Sequence, residues 1–394
     1  MSDRDHDIVL LGATGFTGRL IASYLAEAAP PSARLGLAGR SEAKLAEVAA
    51  TLGRDVALVV VDATDPVGLR RLADSTRVLM TTVGPYTAHG DPVVAACAAA
   101  GTDYLDLCGE SEFVDETYLR HHSTAVGSGA RLVHACGFDS IPHDLGAQFA
   151  VERLGVDPTE AVDVRGHVRM AGTFSGGTFA SALGAMSRMR QASSARKRRL
   201  ALEGEPAGRT ITIGTPRLGR SADTGRWSLP MPTLDPQIVA DSARRLPAYG
   251  RSFTYSHLLD AESGLAMAGL VAGVGAVAGL AQIPPARKAL SRRVPQGTGP
   301  SEEKRAAAWF RVRFFAEAGG RRVVTEVSGG DPGYTETSKM MSEAALCLAF
   351  DDLETTSGQV TTAEAMGPAL RRRLDAAGIT FRVLPEGIGG ADAP

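Results

Sequence analysis

The chain has 394 residues, enough for two or three domains and a large core without disulfide or metal staples. Apolar residues make up 44% and charged residues 22%, and 42 Lys plus Arg against 44 Asp plus Glu leave a net charge of −2. That balance excludes disordered, collagen-like and disulfide-scaffold classes and gives no global pull toward nucleic acid.

Short Val- and Leu-rich runs at 7–11, 35–38, 57–61, 78–83, 104–107 and 131–135 read as strands. Helical patterns at 18–27, 42–52, 67–73, 92–100 and 112–126 alternate with them. Strands separated by helices in βαβ units predict a doubly wound parallel sheet, a Rossmann-type α/β domain. After about residue 140 the rhythm breaks. Segments 162–170, 210–214, 309–317 and 322–328 read as strands of a different sheet, and WFRVRFFAE, Gly319-Gly320 and RRVVTEVS form a hairpin signal. The expected architecture is therefore a nucleotide-binding domain over 1–140 and an inserted α+β domain with a mostly antiparallel sheet over 141–334. Segment 335–394, a helix and tail, is expected to return to the first domain.

The run Ile8-Val9-Leu10-Leu11 leads straight into Gly12-Ala13-Thr14-Gly15-Phe16-Thr17-Gly18. A glycine-rich turn between strand and helix lets the backbone approach a pyrophosphate, whose charge meets the positive end of the helix dipole. At the end of the second strand, where an acidic residue would hold the ribose hydroxyl of NAD, the chain has Arg40, Ser41 and Lys44. Arg40 can pair with a 2′-phosphate and stack on adenine, so NADP(H) is the expected cofactor. Asp62 either reaches the adenine edge or caps the next helix; Val83, Gly84 and Pro85 should pass the nicotinamide ribose.

GATGFTGR, LAGRS, TTVGPY, GTDYLDLCGE and CGFDSIPHDLG together resemble the saccharopine dehydrogenase-like family, and within it the actinobacterial trans-acting enoyl reductases. The resemblance is dense over the first 150 residues or so and thinner beyond, where GYTETSKMMSEAA also fits. It implies reduction of a double bond in a polyketide-derived acyl chain held by a separate synthase. The loop departs from the GxGxxG of saccharopine reductases, which argues against lysine metabolism.

Ligands of open α/β sheets lie beyond the carboxyl ends of the strands. That places Tyr86, Asp106, Cys108, Glu110, Asp139, Ser140 and His143 in range. Enoyl reduction needs a donor for the enolate oxygen and a proton for the α-carbon. Tyr86 is the first candidate because it follows VGP, and His143 the second because imidazole titrates near neutrality. Either residue can equally be structural, Tyr86 packing on the cofactor and His143 capping a helix. Cys97, Cys108, Cys136 and Cys347 show no CxxC or His pairing, so no metal site is expected.

Segment 264–283 is twenty residues without a charge, followed by Arg287, Lys288, Arg292 and Arg293. A span would split the second domain across a bilayer, so a buried or surface-docking helical hairpin is expected, with a greasy substrate wall or peripheral membrane contact as its functional version. The basic run 186–200 reads as a solvated helix face, or as a dock for an acidic carrier or lipid headgroups. With MSDRDHDIVLLG lacking a basic, apolar leader, a cytoplasmic, optionally membrane-associated enzyme is expected. A homodimer is compatible with the sequence. The rival readings are an amino-acid or imine reductase and a catalytically idle NADP-binding protein at a lipid surface.

Overall fold

The computed structural model describes residues 4–172, 187–231, 233–283, 285 and 299–385. Seven parallel strands form the first sheet. Six come from the N-terminal third: β1 (His6–Leu11), β2 (Leu35–Gly39), β3 (Ala57–Val60), β4 (Thr76–Thr81), β5 (Asp103–Asp106) and β6 (Arg131–Val133). The second sheet is built from β7 (Ala161–Ala171), β8 (Thr210–Ile213), β9 (Gly219–Arg220), β10 (Trp227–Pro230), β11 (Ser252–Ala261), β12 (Trp309–Ala318) and β13 (Arg321–Gly329). Two late strands complete the sheets, β14 (Gly358–Val360) and β15 (Thr380–Val383).

The first sheet runs β14-β6-β5-β4-β1-β2-β3. Its central strands are buried on both faces, as sheets covered by helices require: Val9 and Leu11 face one apolar cluster, Ile8 and Leu10 the other. The order reverses beside β1, which puts the switch point of the doubly wound sheet at the glycine loop.

The second sheet runs β15-β13-β12-β7-β11-β10-β9, with β8 also on β11. It is mixed: β7–β11 and β8–β11 are parallel and the remaining pairs antiparallel. The hairpin of β12 and β13 turns at Gly319 and Gly320, both at positive φ, which a side chain would resist. The helix Ile141–Leu154 follows β6 but packs on β12 and β13, so it ties the two sheets together.

The C-terminal segment serves both domains. The helix Thr335–Phe350 packs against Phe16–Ala28 and the strands β1, β4 and β5, and β14 extends the first sheet by pairing with β6. Strand β15, however, closes the edge of the second sheet against β13.

Two expectations are corrected. Over 264–281 the chain is one helix, Gly264–Ala281, with only 12% of it buried, in place of the buried or surface-docking hairpin expected. Its length and composition would suffice to cross a membrane. It starts against the Trp227 ring, and Leu265 is 85% exposed. The cations Arg287, Lys288, Arg292 and Arg293 lie outside the described residues.

The basic run, apart from Met186 outside the described residues, is not a free face. It forms the helix Met189–Glu203, whose arginines pair with helix Ser111–Ser128 and with Asp241. Arg199 is buried with Asp115 at 3.1 Å and Asp241 at 2.8 Å; Arg196 reaches Asp241 at 2.7 Å, and Arg198 pairs with Glu116.

Candidate active site

The phosphate loop leaves β1 with Gly12 at φ +90°, a conformation L side chains rarely adopt. A Cβ on Gly12 would meet the Thr82 hydroxyl at 2.6 Å, and Thr82 Oγ1 donates to the Gly12 carbonyl at 3.1 Å. Gly18 packs helix Phe16–Ala28 onto the loop: a Cβ there would overlap the Gly12 carbonyl and lie 2.9 Å from the Ala13 α-carbon. Gly15 differs. It is the residue preceding the helix, carries no side-chain cap, and a Cβ on it would meet only the Gly12 oxygen at an ordinary 3.5 Å. The protein therefore leaves the approach to Gly15 and the first helical N–H groups to a ligand, as a pyrophosphate cradle does. Ala13 is buried, Thr14 accepts from Arg19 Nε through its carbonyl, and Phe16 meets Tyr334 edge-on at 4.9 Å. Thr17 lies in the first helical turn.

At the other end of the cofactor track, the Arg40 side chain is 81% exposed and only 4.0 Å from Asp62 at its nearest. Ser41 caps helix Glu42–Ala49, accepting from the Lys44 N–H. Arg40 is thus a cation presented beside β2 with its fork open, the arrangement a 2′-phosphate requires. Asp62 spends its Oδ1 on the Thr64 N–H and hydroxyl, at 2.8 and 2.7 Å, and these bonds hold its carboxyl below the usual range. The cap of the next helix, one of the two roles open to Asp62, belongs instead to Asp65, which accepts from Val67 N–H. The loop holding Val83, Gly84 and Pro85 follows β4, with the Val83 N–H bonded to Thr81 Oγ1.

Tyr86 does not present a free hydroxyl. Its ring is buried, its O–H donates to the Thr81 carbonyl at 3.1 Å and accepts from Leu107 N–H at 3.2 Å. Burial pushes the phenol well above its usual range, helped by the charge of Asp106. It is a strut between the ends of β4 and β5, which corrects the expectation that it is the first proton donor. Glu110 completes that strut by accepting from Tyr86 and Thr87 N–H, both at 3.0 Å.

Asp106 is also structural, fully buried and bonded to Tyr104 Oη, His134 Nδ1, Cys108 N–H and Ala135 N–H. The last bond holds Ala135 at φ +59°, the single non-glycine at positive φ among the described residues. Such strain persists only where surroundings impose it. Here it turns the chain after β6 so that 136–140 crosses the carboxyl edge. Cys108 is buried there, its thiol pushed well up by burial, and Ser140 Oγ donates back to the Ala135 carbonyl.

That loop and the helix Ile141–Leu154 that it enters deliver Phe138, Asp139 and His143 to a cluster that includes two residues the sequence did not single out, Asp235 and His257. His143 Nε2 stands 3.4 Å from Asp235 Oδ1 and His257 Nε2 3.8 Å from Asp235 Oδ2. The two imidazoles meet edge to face at 4.7 Å, and Phe138 lies edge-on to His143 at 5.4 Å. Among the described residues these three form the one group of His, Cys, Asp or Glu side chains that brings one nitrogen or oxygen from each within 4.8 Å of the others. Burial governs their protonation. It pushes Asp235 up to about 8, with the charge of Asp139 adding to it, and Asp139 itself up to about 6. It pushes His143 well down, and His257 down to about 3 with the help of His167. His167 goes the other way: despite burial, hydrogen bonds to Asp223 and Asp260 raise it. These shifts favour a protonated carboxyl between two neutral imidazoles near neutral pH, a cluster suited to holding a proton.

Comparison with known proteins agrees with this geometry. Residues 8–133 match the saccharopine dehydrogenase NADP binding domain. A trans-acting enoyl reductase of Mycobacterium tuberculosis is 37% identical over a 417-residue alignment covering 96% of this chain and 98% of its own. A second M. tuberculosis protein, given that name provisionally, is 38% identical over 96% of this chain and 97% of its own. Saccharopine dehydrogenase (L-Glu forming) from Saccharomyces cerevisiae shares the fold, with TM-score 0.56 at 13% identity over 96% of this chain and 99% of that one. With an NADP(H) cradle at the switch point and relatives matched end to end, the chain is an NADP-binding oxidoreductase that belongs to the saccharopine dehydrogenase-like family, beside the trans-acting enoyl reductases.

Proposed function

We propose that the protein reduces the carbon–carbon double bond of an α,β-unsaturated acyl chain, of polyketide or lipid type, carried by a separate synthase. Bound NADPH supplies the hydride. The observation that carries this reading is the cluster of His143, Asp235 and His257 beyond β5 and β6, on the half of the carboxyl edge opposite Arg40 and β2. A Rossmann cofactor bound across β1 with its adenine end at Arg40 points its nicotinamide toward that half. Among the described residues, the side chains converging there are imidazole, carboxyl and phenyl groups rather than an arginine fork. They fit an uncharged acyl chain better than an amino-acid carboxylate, which weighs against an amino-acid or imine reductase.

The exposed apolar helix Gly264–Ala281 supports the same reading, as a surface for a hydrophobic chain or for peripheral contact with lipid. Catalysis in the cytoplasm, on a carrier-bound substrate and with a homodimer as assembly, completes the proposal. The test is NADPH oxidation by the purified protein with trans-2-enoyl thioesters of increasing chain length. Turnover that improves with chain length supports it. Tight NADPH binding without oxidation on any enoyl thioester sinks it and leaves an idle nucleotide-binding protein.

A further inference from the structure

We propose that the Asp235 carboxyl, bracketed by His143 and His257, is the acid that protonates the substrate α-carbon. This assignment rests on the enoyl-reductase reading above and names a catalytic residue for it. Asp235 opens the helix Asp235–Arg245, just after the exposed Thr233. All three side chains are buried; Asp235 is 7% exposed, against 3% for His143 and 1% for His257, so the carboxyl is the least enclosed member of the cluster. Oδ1 accepts no hydrogen bond among the described residues, although it is buried and faces His143 Nε2. A buried carboxyl oxygen left without a partner carries a desolvation cost that native proteins tolerate mainly where the group has work to do.

Thr233, just before the helix, hydrogen-bonds the Asp235 carboxyl, and the titratable groups facing it come from three elements. His143 lies on the helix after β6, Asp139 on the loop before that helix, and His257 and Tyr255 on β11. His257 Nδ1 is 3.1 Å from Tyr255 Oη, which fixes the ring so that its Nε2 faces the carboxyl. Burial, with His167 one strand away on β7 adding to it, pushes His257 down to about 3. Neither imidazole therefore holds a surplus proton at neutral pH. The carboxyl does. His143, the candidate from sequence, becomes a positioning residue.

The step balances. The β-carbon accepts a hydride with its electron pair, and the π pair of the double bond moves to the α-carbon and carbonyl oxygen. The Asp235 O–H bond breaks, a C–H bond forms at the α-carbon, and the carboxylate left behind is reprotonated from water before the next turnover.

The experiment compares the full-length wild type with Asp235→Asn and His143→Gln, measuring NADPH affinity and kcat against pH with an enoyl thioester. Wild-type kcat should fall as pH rises past about 8, because only the protonated carboxyl donates. Asp235→Asn should lower kcat by about 100-fold or more and abolish that alkaline limb, with NADPH affinity retained and an unfolding midpoint at neutral pH no lower than that of the wild type. His143→Gln should lower kcat less and move the limb rather than remove it. Wild-type kcat and an intact limb in Asp235→Asn overturn the assignment alone. Activity lost to a chelator and restored by zinc also overturns it, by making the cluster a metal site. A wild type that binds NADPH but turns over no enoyl thioester overturns the assignment together with the function on which it rests.

Discussion

Gly18 is pressed onto Gly12: the helix that begins the nucleotide fold rests on the Gly12 carbonyl where any side chain on residue 18 would stand. The contact separates two kinds of glycine in one loop. Gly18→Ala must push the helix off β1, so it should cost stability, about 1–3 kcal/mol, as overpacked sites do, and weaken NADPH binding as well. Gly15→Ala meets only an ordinary contact within the protein, so its unfolding midpoint should stay near wild type while NADPH affinity falls. Urea unfolding and fluorescence titration on both variants check this; equal loss of stability in the two would contradict the assignment of Gly15 to the ligand.

Arg40 is the second test of the cofactor track. Its guanidinium is exposed and only loosely associated with Asp62, so removing it disturbs nothing in the fold. Arg40→Ala should lower NADPH affinity by about 10- to 100-fold, the worth of a charged hydrogen-bonded contact, and leave NADH affinity unchanged. Binding titrations with the two nucleotides read the ratio directly.

Tyr86→Phe isolates the corrected residue. Its hydroxyl joins the Thr81 carbonyl to the Leu107 N–H inside the protein. The variant should unfold about 1–3 kcal/mol more easily, leaving two buried backbone groups without their partner, yet keep kcat within a few-fold of wild type. A collapse of kcat with unchanged stability would restore Tyr86 as the donor.

Much of this was legible from sequence, and what was not has physical reasons. The parallel strands announce themselves because both faces are buried, so their Val and Leu runs are continuous. Strand β11 escaped because Ser252, Thr254 and Ser256 dilute its apolar pattern, although His257 within it joins the buried cluster. Strand β14 is three residues, Gly-Gln-Val, too short for any periodicity, and exists because β6 offers it an edge. Asp235, before a proline at a helix start, looks like an ordinary helix-opening residue; only the approach of β11 and the loop after β6 makes it an acid. The arginines of 188–199 read as a solvated face because the acids that receive them, Glu112, Asp115, Glu116 and Asp241, lie far away along the chain.

Those arginines make a prediction about stability. Arg199 is fully enclosed between Asp115 and Asp241, and removing it leaves two buried carboxylates without their main partner. Arg199→Ala should cost about 3–5 kcal/mol. The exposed pair of Arg70 and Asp74, one helical turn apart, should cost only about 0.3–0.5 kcal/mol when broken by Arg70→Ala. Chemical denaturation of the two variants distinguishes a buried network from a surface decoration.

Asp235 also leaves a mark on stability that needs no substrate. Its folded pKa, about 8, stands above the ordinary carboxylate value near 4 of the unfolded chain, so the folded state holds a proton the unfolded state has released. A raised pKa contributes stability that is fully present below the unfolded value and is lost as pH climbs through the folded one. Between about pH 4 and pH 8 this single group should lower the unfolding free energy with a slope approaching 1.4 kcal/mol per pH unit. The carboxylates held low by arginines, such as Glu326 and Asp241, act in the opposite sense and below that window. Asn has no proton to lose, so Asp235→Asn should match the wild type near pH 5 and exceed it in stability near pH 9, after subtraction of the His167 contribution common to both. Denaturation midpoints of the two proteins across that range decide the matter: parallel curves would mean that Asp235 is charged in the folded protein and that the two imidazoles beside it, not burial, set its state.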